Sequence, residues 1–469
     1  MSETLTSPAQ AQASEEEVLE TAVRMAAGGP LVVYQNGPVT RHAVGVRAEL
    51  RFSAQRLTSS WAAPVSRPQL SDVARVLEAC PYPQWRVFGW ARFELALHRA
   101  GLQTGLEGDE TLLHLIVPEV ELIADRPDEP EEPSSPVSPV SPDLLAGADT
   151  YRSAVAQAVE EIRTTALDKV ILSRAIELPP GIDLVATFRR GRRAVAAARS
   201  FHLDLGGWQA TGFSPETVVE VAPDGQVSTQ PLAGTRAFGL GPEKDAANRS
   251  ELLSDLKEIA EHATSVRLAL DEAEAICEEG SVHVGEFMRV LPRGAVQHLA
   301  SRVRGRLRPG YGAWDAFGAF FRRSPPRAFR RSRPTRRSSG WRAPAGVVLR
   351  GGDRGRSHRG LDAALVLRSV FTNEGRSWLR AGAGVVGASR PERELEETCE
   401  KLASVVPHLV LSPALGADPG DDPVQAGLED DFTGEREELG SDPGRGGMSG
   451  LVHRLQAVDE RLGTPGPAG

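Results

Sequence analysis

The chain has 469 residues, of which 40% are hydrophobic, and its 54 basic and 63 acidic residues give a formal net charge of −9. This size allows a large core, while the odd, widely spaced Cys80, Cys277 and Cys399 indicate neither a disulfide framework nor a zinc cluster. No stretch approaches the roughly 20 apolar residues of a membrane helix, and the polar, acidic start is unlike a secretory signal. We therefore expect a soluble, cytoplasmic protein.

The two ends of the chain and one internal stretch have the composition of unstructured segments. Residues 1–18 are polar and acidic and are predicted to be a disordered tail. The Pro-, Ser- and acid-rich residues 126–143 predict a loop, and the Gly-, Pro- and Asp-rich residues 413–469 predict a second disordered tail. Between the tails, residues 19–125 alternate apolar and polar runs, which predicts strands with a few helices.

From residue 151 onward, the sequence predicts alternating helices and strands. Helices are predicted at 154–167, 184–198 and 250–277, and strands at 169–178, 201–207, 208–213, 217–222, 296–307, 361–375 and 377–387. Residues 231–235 are predicted to form a tight loop. A last helix is predicted to start at Ser389, because Ser389 and Glu392 have the capping-box spacing.

Two of these helices each carry a pair of glutamates three residues apart. Glu258 and Glu261 lie in KEIAEH, and Glu394 and Glu397 lie in PERELEETCEKL. Residues at this spacing share a helix face, so each pair can direct two carboxylates, the ligands that Mg²⁺ prefers, to one point. Such pairs more often form a solvated face, and the nearby QPLAGTR and WLRAGAGVVG segments favour the metal site.

Other residues are candidates for binding or converting an anionic substrate. Lys169 starts an apolar strand and would be a general base if it faced a closed pocket, although a solvated strand end is commoner. Glu216 follows a Ser-Pro turn, which it could simply stabilise. Arg368 is flanked by apolar residues and so needs an anionic partner, for which a substrate carboxylate is a candidate.

Two glycines and two further polar residues complete the candidate set. Gly382 and Gly384 lack a Cβ, so a ligand can approach the backbone closely, or the glycines could serve a strand bend. Lys401 and His298 are candidate auxiliaries.

Seven motifs in order resemble the chorismate-utilising enzymes, the family of anthranilate, isochorismate and salicylate synthases: KVILSR, GFSPE, PLAGTRA, KEIAEH, VQHLAS, WLRAGAGVV and PERELEETCEKL. The resemblance covers about residues 20–410 and is strongest to the salicylate synthases of mycobacterial-type siderophore pathways. It implies one α/β (α+β) domain over residues 19–412, in which two layered β-sheets with helices outside enclose a central active site.

The resemblance also implies a role for each candidate. Lys169 would activate water and Glu216 would protonate the departing hydroxyl of chorismate. Glu261 and Glu397 would hold Mg²⁺, supported by Glu258 and Glu394. The substrate would be bound by the pocket residues Thr235, His298, Arg368, Gly382, Gly384 and Lys401.

The implied reaction runs from chorismate through isochorismate to salicylate and pyruvate. Two other outcomes stay open within the family, namely release of isochorismate, or use of ammonia by an anthranilate synthase component that pairs with a glutaminase. We expect a monomer that requires neither a membrane nor a nucleic acid.

The resemblance is lost over residues 322–359, which hold thirteen arginines, no lysine and one acid, Asp353. GC-rich codons for PAVTASGIPK, the family's approximate pattern here, read as RRSPPRAFRR once a single base is dropped, and this is residues 322–331. We interpret 322–359 as a frameshifted segment that lacks a pocket threonine and tyrosine. Its arginines would need an exposed loop, because unpaired guanidiniums are costly to bury.

A native Arg-rich insert that binds nucleic acid is the alternative to a frameshift, because arginine clusters bind phosphate backbones. The absence of lysine and the presence of only two aromatic residues, Phe329 and Trp341, argue against it.

Overall fold

Two β-sheets lie face to face, and helices pack on the outer side of each. The computed structural model describes residues 14–82, 85–101, 109–125, 140–165, 169–321 and 360–412, together with the backbone of residues 346–351. The described residues up to Ser412 belong to one compact unit. The predicted tail at 413–469 and most of the predicted loop, residues 126–139, lie outside the described residues, while residues 140–143 have no regular secondary structure.

The strands of the described residues are β1 Leu31–Asn36, β2 Val39–Val44, β3 Ala48–Ser53, β4 Arg56–Ser59, β5 Val65–Ser66, β6 Val87–Arg92, β7 Thr111–Val117, β8 Val120–Asp125, β9 Lys169–Leu178, β10 Arg199–Asp204, β11 Gln209–Ser214, β12 Thr217–Val221, β13 Gln226–Thr229, β14 Leu232–Ala237, β15 His283–Arg293, β16 Val296–Arg306, β17 Gly346–Gly351, β18 Leu361–Leu365, β19 Ser369–Asn373 and β20 Arg376–Val386. The helices are α1 Glu15–Ala26, α2 Leu70–Glu78, α3 Glu94–Arg99, α4 Ala148–Thr164, α5 Leu184–Ala194, α6 Pro242–Ser254, α7 Leu256–Glu274, α8 Ala313–Phe320 and α9 Pro391–Ala403, with a 3₁₀ turn at Val406–His408. None of these helices is long and apolar enough to cross a membrane.

The first sheet has the strand order β8-β2-β1-β10-β11-β19-β20-β9, and the second has the order β14-β16-β13-β12-β18-β17-β6-β7-β3-β4-β5. Strand β16 pairs with β13 and β14 on one edge and with β15 on the other. In the first sheet, β20 pairs with β9 in antiparallel register from Lys169 opposite Val386 to Leu178 opposite Ser377.

Apolar side chains from both sheets fill the space between them. Phe201 and Phe371 project from the first sheet, and Phe88, Trp90 and Ile116 project from the second. Burying one such side chain stabilises the fold by about 1.5–3 kcal/mol. The prediction of two layered sheets with outer helices is confirmed.

The helices that carry the two glutamate pairs belong to different layers. Helix α7 packs on β14 and β16 of the second sheet, and Val266, Ala269 and Ala273 are its buried face. Helix α9 packs on β20 of the first sheet through Leu395 and Leu402. The buried face of each helix therefore fixes which way its glutamates point.

The amino-terminal tail is shorter than predicted. Helix α1 begins at Glu15, where the Ser14 side chain accepts a hydrogen bond from the backbone of Glu17 and the Glu17 carboxylate accepts one from the backbone of Ser14. Glu15 is buried and is bound by Thr40 and Arg192. Residues 14–18 are therefore ordered by a capping box and by a buried ion pair.

Two predicted elements in the centre of the chain are wrong. The single helix 250–277 is divided into α6 and α7 at Asp255, whose carboxylate accepts hydrogen bonds from the backbone amides of Lys257 and Glu258 and so starts a new helix. Residues 231–235 do not form a tight loop but enter strand β14, which has a bulge at Gly234 with φ of +81°.

The predicted start of the last helix is also wrong. Helix α9 begins at Pro391, with Arg390 as its N-cap residue and without a capping side chain. The Ser389 hydroxyl instead accepts a hydrogen bond from the backbone amide of Val386. Ser389 therefore closes the turn after β20 and does not cap α9.

The predicted strand 361–375 is two strands in different sheets. Strand β18 lies in the second sheet and β19 in the first, and Arg368 lies in the connection between them with φ of +51°. A non-glycine residue in this left-handed region is uncommon. The apolar residues before and after Arg368 belong to two buried strands, one in each sheet.

Part of the Arg-rich stretch lies in a sheet. Strand β17 pairs with β6 and β18 and completes the backbone ladder between them. The expectation that all of residues 322–359 form an exposed loop is therefore wrong for residues 346–351, because backbone hydrogen bonds do not depend on side-chain identity. Residues 322–345 and 352–359 lie outside the described residues.

Candidate active site

A cavity of about 340 Å³ opens where the two sheets meet helices α7 and α9. Its walls include all but one of the residues that the sequence predicts for the site: Lys169, Glu216, Thr235, Glu258, Glu261, His298, Arg368, Gly382, Gly384, Glu397 and Lys401. The exception is Glu394, which is 1% exposed and does not line the cavity. Side chains from separate strands and helices therefore converge on one cavity.

Two of the predicted metal ligands are held by lysines. The Nζ of Lys169 lies 2.6 Å from Oε1 of Glu261, and the Nζ of Lys401 lies 2.5 Å from Oε1 of Glu397. Lys401 also donates to the backbone carbonyl of Gly382 at 2.9 Å. Although burial opposes ionisation, Lys401 lowers the pKa of Glu397 to about 2, so this carboxylate is charged at neutral pH.

The other two glutamates are buried and share a lysine. Burial raises the pKa of Glu258 and of Glu394, and the carboxylates of Glu261 and Glu397 raise both further. The Nζ of Lys257 lies 3.6 Å from Oε1 of Glu258 and 3.5 Å from Oε1 of Glu394. The Ser389 side chain lies close enough to Glu394 to oppose this rise in its pKa, although no hydrogen bond of normal geometry reaches either oxygen of Glu394 from the described residues.

The two glycines of β20 give room to strand β9. A Cβ on Gly384 would lie 2.7 Å from Cε of Lys169 and 3.1 Å from Oε1 of Glu261. A Cβ on Gly382 would lie 2.8 Å from the carbonyl oxygen of Leu172. Gly384 is thus needed for the Lys169–Glu261 contact itself, and a larger residue would push the lysine out of place.

A chain of hydrogen bonds orients Arg368 at the cavity wall. Its guanidinium donates to Oγ of Ser404 at 3.1 Å and to Nε2 of His298 at 3.1 Å. The second ring nitrogen of His298, Nδ1, must then carry the proton, which points to Oγ1 of Thr235 at 3.1 Å and to the carbonyl of Gly234 at 3.3 Å. His298 is therefore neutral in this arrangement, and its Nε2 accepts a hydrogen bond that orients Arg368.

The charge states along this chain agree with that assignment. Burial, together with the charges of Arg368 and Lys401, lowers the pKa of His298 to about 3. Burial lowers the pKa of Arg368 to about 10, which leaves the guanidinium charged at neutral pH. Among the described residues, the hydrogen-bond partners of this buried guanidinium are the neutral Ser404 and His298, which leaves its positive charge available to an anionic ligand.

Glu216 is placed by the turn that joins β11 to β12. The hydroxyl of Ser214 accepts a hydrogen bond from the backbone amide of Glu216 at 3.3 Å and donates to its carbonyl at 3.1 Å. These two bonds hold the half-buried Glu216 at the junction where the chain passes from the first sheet to the second, and its side chain lines the cavity.

Sequence reasoning missed three polar residues at this site. Arg380 lines the cavity on the same face of β20 as Gly382 and Gly384, because alternate strand residues share a face. Ser173 lies on the cavity face of β9 with Lys169. Lys257 precedes Glu258 in the same helix turn. The two-residue alternation along WLRAGAG would have revealed Arg380.

The donor chemistry of the site fits a hard divalent cation. Four carboxylates lie on facing parts of α7 and α9, and within the described part of the chain the buried Glu394 carboxylate accepts no hydrogen bond of normal geometry. Among the described residues, no three acidic, His or Cys side chains are close enough together to enclose an ion, because Glu261 and Glu397 each point to a lysine. These two carboxylates would need to turn away from their lysines to hold a metal.

The pattern of one known family spans most of this chain. The family described as chorismate binding enzyme matches residues 30–323 and 356–407. The chain belongs to this family. The match is interrupted over residues 324–355, which lie inside the Arg-rich stretch.

Relatives of known name include enzymes with three different products. A salicylate synthase of Mycolicibacterium paratuberculosis is 36% identical over 419 residues, which cover 82% of this chain and 90% of that protein. The structure of anthranilate synthase component I from Streptococcus pneumoniae has a TM-score of 0.61 at 22% identity, covering 79% of this chain and 92% of that chain. The menaquinone-specific isochorismate synthase of Escherichia coli has a TM-score of 0.61 at 18% identity, covering 86% and 92%. These structures share the fold.

Proposed function

We propose that this chain converts chorismate through isochorismate to salicylate and pyruvate. The observation that carries the proposal is the convergence of Lys169, Glu216 and Arg368 on one cavity beside four glutamates. Similarity to a salicylate synthase along most of both chains supports salicylate as the product. The catalytic roles of individual residues are part of the proposal.

In the first step, Lys169 removes a proton from a water molecule that adds to carbon 2 of chorismate, and Glu216 donates a proton to the hydroxyl that leaves carbon 4. One water enters and one leaves, so the step is an isomerisation. As a general base, Lys169 must first lose its contact with Glu261, because the Nζ that would accept the proton of the water lies against that carboxylate.

Arg368 binds the carboxylate of the enolpyruvyl group. Its guanidinium is held from behind by Ser404 and His298, so little side-chain freedom is lost on binding. Thr235, Lys401 and the backbone at Gly382 and Gly384 border the same pocket. The substrate is thereby oriented between the base and the acid.

We also propose that Mg²⁺ is held by Glu261 and Glu397, with Glu258 and Glu394 as supporting carboxylates. When bound, the ion supplies positive charge next to the ring carboxylate of chorismate. The second step, loss of pyruvate with a concerted hydrogen shift, forms no bond to the protein. It needs mainly a held conformation of isochorismate, which is the orientation contribution to catalysis.

Isochorismate and anthranilate are the alternative products, favoured by the fold shared with enzymes of those names. The test is to incubate chorismate with a chain whose reading frame over residues 322–359 has been restored, with and without ammonia, and to separate the products. We expect equimolar salicylate and pyruvate. Accumulated isochorismate without pyruvate, or anthranilate formed only with ammonia, would replace the proposal by one of the alternatives.

We further propose that the protein acts as a monomer in the cytoplasm. Light scattering during gel filtration would test the oligomeric state, since a dimer would elute with twice the mass of the 50.3 kDa chain.

A further inference from the structure

Lys257 connects two helices that cover different sheets. It is the second residue of α7, and its ammonium lies 3.6 Å from a carboxylate oxygen of Glu258 on its own helix. It also lies 3.5 Å from a carboxylate oxygen of Glu394 on α9. Both distances exceed the 2.7–2.9 Å typical of a charged hydrogen bond, so the ammonium bridges the two carboxylates without binding tightly to either.

The other two lysines of the site contact other carboxylates, so Lys257 is the lysine that lies between Glu258 and Glu394. Lys169 lies against Glu261 and Lys401 lies against Glu397, so the two cavity-facing glutamates each have a lysine of their own. Glu258 and Glu394 are the two more buried members of the cluster. Arg236 approaches Glu258 at 3.4 Å, while Lys257 is the cation within 4 Å of Glu394 among the described residues.

The position of Lys257 has opposite consequences for the fold and for a bound metal. Carboxylates from α7 and α9 repel each other, and an ammonium between them removes part of that repulsion. The same ammonium repels a second cation placed among these carboxylates. Because the lysine side chain is 29% exposed, its charged end can swing towards solvent along its flexible stem.

We propose that Lys257 is an internal counter-cation, which holds α7 and α9 together when no metal is bound and weakens Mg²⁺ binding by competing for Glu258 and Glu394. This inference rests on the metal site of the proposed function. Lys257 acts here on metal affinity and takes no part in the chemical steps.

The test compares Mg²⁺ binding by the full chain with binding by three variants, using calorimetric titration with MgCl₂ and no substrate. We expect Lys257→Met to bind Mg²⁺ roughly tenfold more tightly, where tenfold in Kd corresponds to about 1.4 kcal/mol. Lys257→Arg keeps the charge and should bind as the unsubstituted chain does. Lys244→Met removes one charge from an exposed lysine of α6 and is the matched control.

Thermal unfolding of the same proteins gives the second readout. Without metal, Lys257→Met should unfold at a lower temperature than the unsubstituted chain. Saturating Mg²⁺ should raise the Tm of Lys257→Met by more than it raises the Tm of the unsubstituted chain. Should methionine prevent folding, Lys257→Gln removes the charge while keeping a polar end. If Lys257 only stabilises the fold, its replacement would lower the Tm but would not enlarge the increase in Tm that Mg²⁺ causes, and this result would contradict the competition.

The possible failures are distinguishable. If the unsubstituted chain binds Mg²⁺ and Lys257→Met binds it equally or more weakly, the competition by Lys257 is wrong and the metal site stands. If the unsubstituted chain and Lys257→Met both fail to bind Mg²⁺, the metal site and the competition are both overturned.

Discussion

The Nζ of Lys169 lies 2.6 Å from Oε1 of Glu261, although 92 residues separate the two in sequence. Lys169 is the first residue of β9 in the first sheet, and Glu261 lies on α7, which packs on the second sheet. This contact joins the proposed general base to a proposed metal ligand. A change that alters one of the two residues must therefore affect the other.

Removing one negative charge from a proposed ligand should weaken Mg²⁺ binding. We expect Glu261→Gln and Glu397→Gln each to raise the Kd for Mg²⁺ by roughly 10- to 100-fold, because an amide oxygen carries no net charge for a hard cation. Titration calorimetry of the full chain measures this directly. Glu274→Gln, an exposed substitution at the end of the same α7, is the control and should leave the Kd unchanged. Identical titration curves for all four proteins would contradict the ligand assignment.

Lys169→Ala should separate the two steps of the proposed reaction. In a frame-restored chain, the variant should form no isochorismate from chorismate, because no group remains to remove the proton from the attacking water. Isochorismate that is supplied directly should still give salicylate and pyruvate, since that step needs orientation more than a base. Chromatography of both reactions provides the measurement. Normal formation of isochorismate from chorismate would show that Lys169 is not the base.

Arg368→Lys should lower substrate affinity in the frame-restored chain. Lysine keeps the charge but cannot contact Ser404, His298 and a carboxylate at once in the planar geometry of a guanidinium. Because one hydrogen bond to a charged group contributes roughly 1.5–3 kcal/mol, we expect kcat/KM for chorismate to fall roughly 10- to 100-fold, mostly through KM. Arg289→Lys, an exposed substitution on β15, is the control. An unchanged KM would remove Arg368 from the substrate site.

The stability of the protein should decline as the pH falls from 6.5 towards 4. Burial lowers the pKa of His202 from 6.5 to about 4, so the folded protein keeps this ring neutral where the unfolded chain takes up a proton. Unfolding then binds protons, and the free energy of unfolding falls with falling pH in this window. Well above pH 6.5 the ring is neutral in both states and contributes no pH dependence.

Urea denaturation at pH 7.5, 6 and 5 tests this dependence. We expect His202→Gln to reduce the slope of stability against pH, whatever its effect at pH 7.5 on the bond to Thr211. His283→Gln changes an exposed histidine and should leave the slope as it was. An equal slope in all three proteins would contradict the neutral buried His202.

The Arg-rich stretch decides whether the chain as written is active. We expect no conversion of chorismate by this chain, because a frameshift over 322–359 would remove a threonine and a tyrosine that the family resemblance places in the pocket. A frame-restored chain should make salicylate, and resequencing codons 320–362 would locate the missing and the compensating base. Efficient salicylate formation by the chain as written would show that the stretch is native.

Local sequence was sufficient to predict many elements and most of the polar residues that line the cavity. The apolar sequence that starts at residue 169 predicted a strand over 169–178, and β9 has those bounds. The spacing of Glu258 and Glu261, and of Glu394 and Glu397, predicted helix faces that the structure confirms as helical. These features depend on neighbours within four residues, which the sequence displays directly.

Other features depended on contacts between distant parts of the chain. Apolar runs lie on both sides of Arg368, at residues 363–367 and 370–371, and nothing local shows that the chain changes sheets there. Whether a glutamate faces the cavity, as Glu397 does, or lies behind it, as Glu394 does, follows from how α9 packs on β20. Local periodicity places a side chain on a face of its own element but does not say what that face meets.

The sequence by itself determined the family, the layered architecture and the residue types of the site. The tertiary structure decided the charge pairs that join different elements, which are Lys169 with Glu261 and Lys257 with Glu394. The pair of Lys401 with Glu397, by contrast, follows from their spacing of four residues on α9. The strength of a contact between distant charges falls with their distance and rises with their burial. The distance between the charges and their burial are both set by how α7 and α9 pack next to the two sheets.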